Sequence, residues 1–468
     1  METLDALAES LGPRGFLRDA QDLAPYAEDW RGNYRGLPRA VLRPSSVAEV
    51  SASVRACAEA GLAIVPAGGR TGLCGGAVVQ ENGPPAVVLS LERLNRIRAV
   101  DARDFSLVAD AGCVIQQVQD AAAQVDRLFP LSWGAQGSAQ VGGALSTNAG
   151  GIRTLRWGNA RDLVLGLEVV LPDGRVLNDL RRVRKDNSGY ALRHLFLGGE
   201  GTLGVITAAA LRLVPALKRV ETAFVAVPSP EAALSLLSRV MGSGAEVIAF
   251  ELVIRRCLEI VVRFGQRMRV PLPIESPWYV MVEIAAAHQA VPLRTMLEDT
   301  LAAAMEAGEC TDAALAENEQ QRAGFWRIRE EWPECLRLAG TVVNTDTSVP
   351  VSAVPEFLER AERDLAARWP EGRFIAIGHA GDGNIHVSLL APEGMERAAW
   401  VARAAEAEPL VNAIAVELGG SFSAEHGIGQ SKRHAMALHK DAVAMDLMRG
   451  IKAAIDPRGM MNPGKMFP

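Results

Sequence analysis

Three glycine-rich runs in the first half of the chain limit its fold more than any other feature. "PAGGRTGLCGG" (Pro66 to Gly76) places five glycines in eleven residues, directly after the apolar run "LAIV". "GAQGSAQVGGALSTNAGG" spans Gly134 to Gly151, and "GGEGTLG" spans Gly198 to Gly204. A glycine inside a helix or strand costs roughly 1 kcal/mol relative to alanine. Runs of this density are therefore expected where backbone turns sharply or comes close to another group. Consecutive N–H groups in such loops can cradle an anion. Ordinary turns are the plain alternative for any one run; the three together point to a long diphosphate cofactor lying across several loops.

The elements around these runs set the fold class. "RAVLRPSS" reads as a short strand, "VAEVSASVRACAEAG" as an amphipathic helix closed by Gly61, and "LAIVPAGG" as a buried strand entering a loop. "AVVLSL", "SLVADAG" and "LVLGLEVVLPDGRVL" are further strands, the last with a hairpin turn at Pro172 to Gly174. Gly199, Gly201 and Gly204 match G-x-G-x-x-G in form. A dinucleotide fingerprint should follow the first strand and open a helix, whereas "VITAAALRLV" follows here. A nicotinamide-dependent dehydrogenase is thus the weaker rival.

After "LRLVPA" the glycines thin out, and strands such as "ETAFVAVP", "WYVMVEIA" and "RFIAIGH" alternate with helices such as "SPEAALSLLSRVM". That texture predicts an α+β domain with a largely antiparallel sheet. The expected organisation is an N-terminal segment (1–36), a cofactor domain (37–216), a substrate and metal domain (217–410) and a helical C-terminal segment (411–468). A chain of 468 residues is too long for one core.

Bulk properties exclude several function classes. Lys and Arg total 49 against 55 Asp and Glu, with no basic block, so nucleic acid is not an expected partner. The six cysteines form no CxxC pair, which suits reduced thiols in a cytoplasm better than disulfides or a zinc finger. "METLDALAES" lacks the pattern of a secretory signal, and no apolar stretch approaches the ~20 residues that span a bilayer. A cytoplasmic location without a transmembrane segment is expected, with peripheral membrane attachment left open.

"GHAGDGNIH" (Gly378 to His386) and "SAEHGIG" (Ser423 to Gly429) carry the chemistry. "RFIAIGH" and "NIHVSLL" read as two strands joined by the turn "AGDGN", which would put His379 and His386 at one hairpin mouth. Neighbouring imidazoles suit zinc or a similar divalent ion, and Glu425 could add a third ligand. The alternative is solvated side chains at a turn. Asp382 and Asn384 are read as shaping that turn.

Together with "RKDNSGY" and "LFLGGEGTLGVIT", the glycine runs resemble the FAD domain of the vanillyl-alcohol-oxidase-type flavoproteins. Within that family the chain is most similar to the FAD-dependent D-2-hydroxy-acid dehydrogenases, the D-2-hydroxyglutarate dehydrogenases first and the flavin-type D-lactate dehydrogenases second. The likeness runs over nearly the whole chain. It implies FAD with its pyrophosphate on Pro66, Ala67, Gly68, Gly69, Arg70, Thr71 and Gly72, and further contacts from Ser138, Gly142, Gly143, Asn148, Gly150, Glu200, Gly204, Ile206 and Asn462. His194 is the only histidine of the glycine-rich half and does not lie in a loop, so noncovalent FAD is expected.

The resemblance also implies His379, His386 and Glu425 as metal ligands, His426 as the general base, and Arg329 in "FWRIREEWPE" as a partner of the substrate carboxylate. A histidine of unperturbed pKa about 6.5 can take a hydroxyl proton near neutral pH. The implied reaction oxidises a D-2-hydroxy acid to the 2-oxo acid. D-2-hydroxyglutarate is the first expectation, D-lactate or D-malate the second, and a non-catalytic ligand-binding flavoprotein the alternative from another class. Electrons would pass to an electron-transfer flavoprotein, a quinone or a cytochrome. Oligomeric state stays open, with a homodimer as one candidate. The chain departs from the D-2-hydroxyglutarate dehydrogenases at three places: Pro333 where they carry Thr, Asn344 where they carry Lys, and Ser388 where they carry Asn.

Overall fold

A computed structural model describes residues 2–468. By internal contacts the chain falls into two units. The first takes residues up to Gly151, Trp157–Ala216 and Glu425–Pro468; the second takes Ile152–Arg156 and Leu217–Ala424.

The first unit contains two main sheets. In the four-stranded sheet, Ala86–Ser90 lies between Val41–Leu42 and Ala63–Ala67, parallel to both. The helix Val47–Glu59 makes the crossover between Val41–Leu42 and Ala63–Ala67. Ser46 caps it, its hydroxyl accepting the Glu49 N–H, and Gly61 ends it at φ +69°. The five-stranded sheet is antiparallel, in the order Ile97–Asp101, Ser106–Asp110, Val205–Arg212, Val164–Val170, Val176–Asp179. Residues after the third glycine run thus enter a strand, and no helix opens there. All six cysteines are buried free thiols. No helix among the described residues is long and apolar enough to cross a membrane.

The second unit is built on one eight-stranded antiparallel sheet. Its path runs Asp312–Leu315, Arg219–Val227, Trp278–Ala286, Glu246–Ile254, Arg373–His379, Asn384–Leu390, Val342–Asn344, and Thr347–Ser348 also pairs with Asn384–Leu390. One face carries Val225, Val280, Val282, Phe250, Leu252, Val387 and Leu389. The helices Pro230–Gly242, Leu293–Glu306 and Val354–Arg368 cover it with Leu236, Leu297 and Phe357 among others.

The opposite face holds Phe224, Tyr279, Met281, Val253, Ile375 and Ile377 under the helices Arg255–Phe264, Glu319–Glu330 and Trp332–Ala339. Directly paired residues share a face, as do residues two apart on one strand. Val253 pairs with Ile377 and Ile377 with His386, so Glu251, His379 and His386 continue this face beyond its apolar part. The pairs Glu251–Met281, Thr222–Glu283 and Asn344–Ser388 add four more polar side chains. One sheet face is therefore core at one end and a polar strip at the other.

The turn at the strip's edge needs its glycine. Gly383 has φ +82°, and a Cβ there would stand 2.0 Å from the Val349 carbonyl oxygen. Left-handed backbone adds roughly 1 kcal/mol for alanine. Gly383→Ala is expected to lower stability by about 2–4 kcal/mol, measured as the urea midpoint of the unfolding transition; a loss below about 1 kcal/mol would show that the turn relaxes freely.

Candidate active site

In the second unit the site is organised by Glu251, the one acid in the buried interior of the strand Glu246–Ile254, whose other acid, Glu246, lies at its start. Its carboxylate is 2.5 Å from His379 Nδ1 and accepts the Arg329 Nε–H at 3.0 Å. Burial works to raise its pKa, but the His379 ring and the Arg329 guanidinium outweigh that and hold it down at about 2. An ionised carboxylate only accepts hydrogen bonds, so the His379 ring must donate from Nδ1. In the neutral ring the lone pair then sits on Nε2. This carboxylate-to-imidazole arrangement is the usual support of a metal-binding histidine. The His386 ring stands edge-on to His379, with centroids 6.1 Å apart. The hairpin forms as the sequence predicts, with a diagonal register: His386 faces Ile377, and His379 faces Asn384. Asn384 is tied into the turn, donating to Thr347 O at 2.9 Å.

The helix Glu319–Glu330 lays a stripe over the strip. Arg322, Trp326 and Arg329 recur at the spacing of one helix face. Trp326 Nε1–H donates to Glu283 at 2.8 Å, Arg322 lies 3.5 Å from the same carboxylate, and Thr222 donates to it at 2.7 Å. Because Arg329 is held through Nε, the outer N–H groups of its fork remain for a ligand. Pro333 occupies the first turn of Trp332–Ala339, where a missing N–H costs nothing. Asn344 accepts the Ser388 hydroxyl at 2.6 Å, leaving its amide N–H groups as donors.

In the first unit the glycine runs pack on one another. A Cβ on Gly69 would lie 2.1 Å from Ser138 O, one on Gly68 3.4 Å from Gly143 N, and one on Gly201 3.0 Å from Pro66. Gly142 is held as closely against Ala111, and Gly204 against Val170 O. Ile206 is buried in the strand Val205–Arg212, and Gly150 is buried beside the loops. Arg70, Asn148, Glu200 and Asn462 all adopt positive φ, which is strained for residues other than glycine. Arg70 donates to Pro25 O at 2.6 Å and covers the Tyr26 ring, and Asn148 accepts the Arg161 N–H at 2.9 Å. Thr71 is half-buried, Ser138 is exposed, and Ala67 ends the buried strand.

Glu200 anchors the "SAEHGIG" segment. Its two oxygens accept the Ile428 and Gly429 N–H groups, each at 2.7 Å. Burial pushes its pKa up, against the pull of those two N–H groups and of Lys432 and Lys465. Glu425 and His426 directly precede this pinned turn, with a nitrogen–oxygen distance of 3.9 Å between them. Asn462 staples the C-terminal segment here: its amide donates to Glu200 O at 2.7 Å and Gly76 O at 3.0 Å, and its backbone N–H to Ile64 O at 2.8 Å.

Glu251, Glu283 and Trp326 were not singled out from the sequence. A signal existed: an acid in the middle of an apolar run, Glu251 within "VIAFELVI" and Glu283 within "WYVMVEIAA", is a buried charge in need of a partner.

Residues 38–179 match the family model for an FAD binding domain, and residues 216–466 that for the C-terminal domain of FAD linked oxidases. The chain belongs to the FAD-linked oxidase family and is an FAD-dependent oxidoreductase. It is 36% identical to the mitochondrial D-2-hydroxyglutarate dehydrogenase of Rattus norvegicus, over 99% of this chain and 84% of that protein. It is 37% identical to the D-2-hydroxyglutarate dehydrogenase of Xanthomonas citri pv. viticola, over 95% of this chain and 93% of that protein. Among solved structures, an alkyldihydroxyacetonephosphate synthase aligns with a TM-score of 0.76 at 17% identity, covering 99% of this chain and 84% of that one. That likeness bears on fold, and it agrees with the expected two-part flavoprotein architecture.

The loops fit FAD. Nothing lies within 4 Å of where a Cβ on Gly72, Gly134 or Gly137 would be, so the fold itself does not demand glycine there, while a cofactor against the backbone would. Gly72→Val is expected to leave the stability of the FAD-free protein within roughly 0.5 kcal/mol and to weaken FAD binding by more than about tenfold, a loss of at least about 1.4 kcal/mol. FAD titration and urea unfolding read the two effects separately; unchanged FAD affinity would move the cofactor off this loop.

Proposed function

We propose that this chain oxidises D-2-hydroxyglutarate to 2-oxoglutarate. The observation that carries the reading is identity of 36–37% with proteins of that activity, over at least 95% of this chain. The polar strip supports it, because Arg329 offers a guanidinium fork suited to a carboxylate.

FAD would accept the two electrons that leave Cα with its hydrogen. A divalent cation, zinc or a similar ion, would be held by His379 and His386, with Glu425 as the third ligand that the family resemblance implies, and would make the substrate hydroxyl more acidic. Glu251 keeps His379 in the tautomer that presents Nε2. His426 takes the hydroxyl proton, and the Glu200 anchor on Ile428 and Gly429 fixes the backbone that carries it. Arg329 pairs with a substrate carboxylate, and Asn344 donates a neutral hydrogen bond. The electrons then pass to an acceptor of the electron-transfer-flavoprotein or quinone type.

A second reading, D-malate or D-lactate, is favoured by one observation. Pro333 has no side-chain donor, and Asn344 is neutral and shared with Ser388, so these positions grip a second carboxylate weakly.

Anaerobic titration of the purified protein tests both readings. D-2-hydroxyglutarate should bleach the flavin absorbance, its L-enantiomer should not, and prior chelation should slow the bleaching. Bleaching by D-lactate or D-malate alone would select the second reading, and none with any 2-hydroxy acid would defeat both. Glu251→Gln should weaken metal affinity on the order of 10–100-fold, the range for an outer partner of a ligand histidine. Competition with a chromogenic chelator measures it; wild-type affinity would remove Glu251 from the metal's support.

A further inference from the structure

The helix Ala442–Ile455 is held in the first unit along one side only. Asp441 caps it, its carboxylate accepting the Ala444 N–H at 2.9 Å. Lys452 donates to Thr202 O at 2.6 Å and to Met461 O at 2.9 Å. Met445 is buried and Met448, Lys452 and Ile455 are half-buried, at the three- and four-residue intervals of one helix face.

The outer face is nearly as apolar as the inner one. Val443, Leu447, Gly450 and Ala454 recur at spacings of four, three and four, and all are exposed, Val443 by 66% and Leu447 by 64%. Leu438, in the short preceding helix Arg433–His439, is 62% exposed. A helix that is apolar all round is normally one that is buried all round, and this spacing is that of a seam between two helices. Gly450 is a second, separate observation. Among the described residues nothing lies within 4 Å of where its Cβ would be. Glycine is the poorest helix former after proline, so the chain alone gives no reason for it here, whereas a second helix in close approach does.

We infer that this outer face is the contact between two copies of the chain, their helices lying antiparallel across a two-fold axis beside Met448 and Arg449. The order of side-chain sizes selects that arrangement, because the large residues of the seam come first and the small ones last. Parallel helices would set Leu447 against the partner's Leu447 and leave a gap at Gly450, which close packing disfavours. Antiparallel helices set Leu447 over the partner's Gly450, and Val443 over the partner's Ala454. The charges agree with the sizes. Asp446 and Arg449 lie on one flank of the seam, 3.6 Å apart within one chain, and the two-fold axis brings each Asp446 toward the partner's Arg449. The patch is thus complementary to itself in shape and charge, as a two-fold interface has to be. A lipid surface would instead call for a basic rim, and this helix has one acid and one base on its outer side.

Sedimentation velocity of the FAD-loaded enzyme over roughly 0.1–50 µM tests the inference. Wild type should reach twice the mass of the chain, with a dissociation constant on the order of 1 µM or tighter. Leu447→Glu, which puts a charge into the seam, should weaken association more than about 100-fold. Gly450→Leu should do the same by filling the space the partner needs. Leucine favours the helix itself, so a monomer there is not a failure to fold, and its bound FAD shows this. Asp446→Arg and Arg449→Asp should each weaken association about 2–10-fold by setting like charges across the axis, and the double variant should restore it. A wild type that is monomeric at every concentration overturns the inference. That includes a monomer that sediments with phosphatidylcholine vesicles in a Leu447-dependent way, since the face would then meet a membrane. A dimer indifferent to Leu447→Glu and Gly450→Leu has its interface elsewhere and overturns it too, as does a double charge variant no better than the single ones.

Discussion

The substrate side of this protein depends on one buried, ionised carboxylate. Removing Glu251 from water costs several kcal/mol, and its position in the buried interior of its strand gives it no solvent. Two charge-assisted bonds offset that cost, each worth about 1.5–3 kcal/mol, and their partners are His379 and Arg329. Neither partner can turn away without stranding the charge. A single residue therefore fixes the tautomer of one imidazole and the direction of one guanidinium fork. The stabilisation and the preorganisation are the same two bonds.

Glu200 applies the same principle in the first unit with different partners. Its carboxylate takes two backbone N–H groups, so it holds a stretch of main chain and no particular side chain. That stretch follows Glu425 and His426, residues whose own side chains are half-exposed. The strained φ values of Glu200, Asn148 and Asn462 are sustained because each residue has at least one specific hydrogen bond that a relaxed backbone would lose.

Much of this was legible because it is local. Glycine density marks loops whatever they pack against, and "PDG" and "AGDGN" specify turns by the φ angles their residues accept. The strands on either side of "AGDGN" could be read from their apolar pattern, and so the hairpin of His379 and His386 followed. What escaped the sequence is non-local. Glu251 meets His379 only because Glu246–Ile254 pairs with Arg373–His379, across more than a hundred residues of chain. Arg329 was legible as a cation on a charged helix, but its anchor was not. The membership of Ile152–Arg156 in the second unit has no signature in composition, since it is decided by Leu155 fitting beside Gly381.

The location of the polar strip follows from what a sheet face can do. Loops would carry these side chains with less precision; strands hold them at a fixed pitch of about 7 Å between same-face neighbours. The cost is that the face must change character abruptly. Ile377 is core, and His379, the next residue on its side, is a polar group in the site. The helix Glu319–Glu330 makes the same change around its circumference, with Phe325 and Ile328 in the core and Arg322, Trp326 and Arg329 meeting buried acids. Core and site are thus two halves of one interface between helix and sheet. A substitution that shifts this helix along the sheet would disturb packing and ligand geometry together, because the side chains that fix its position are interleaved with those that would meet the substrate.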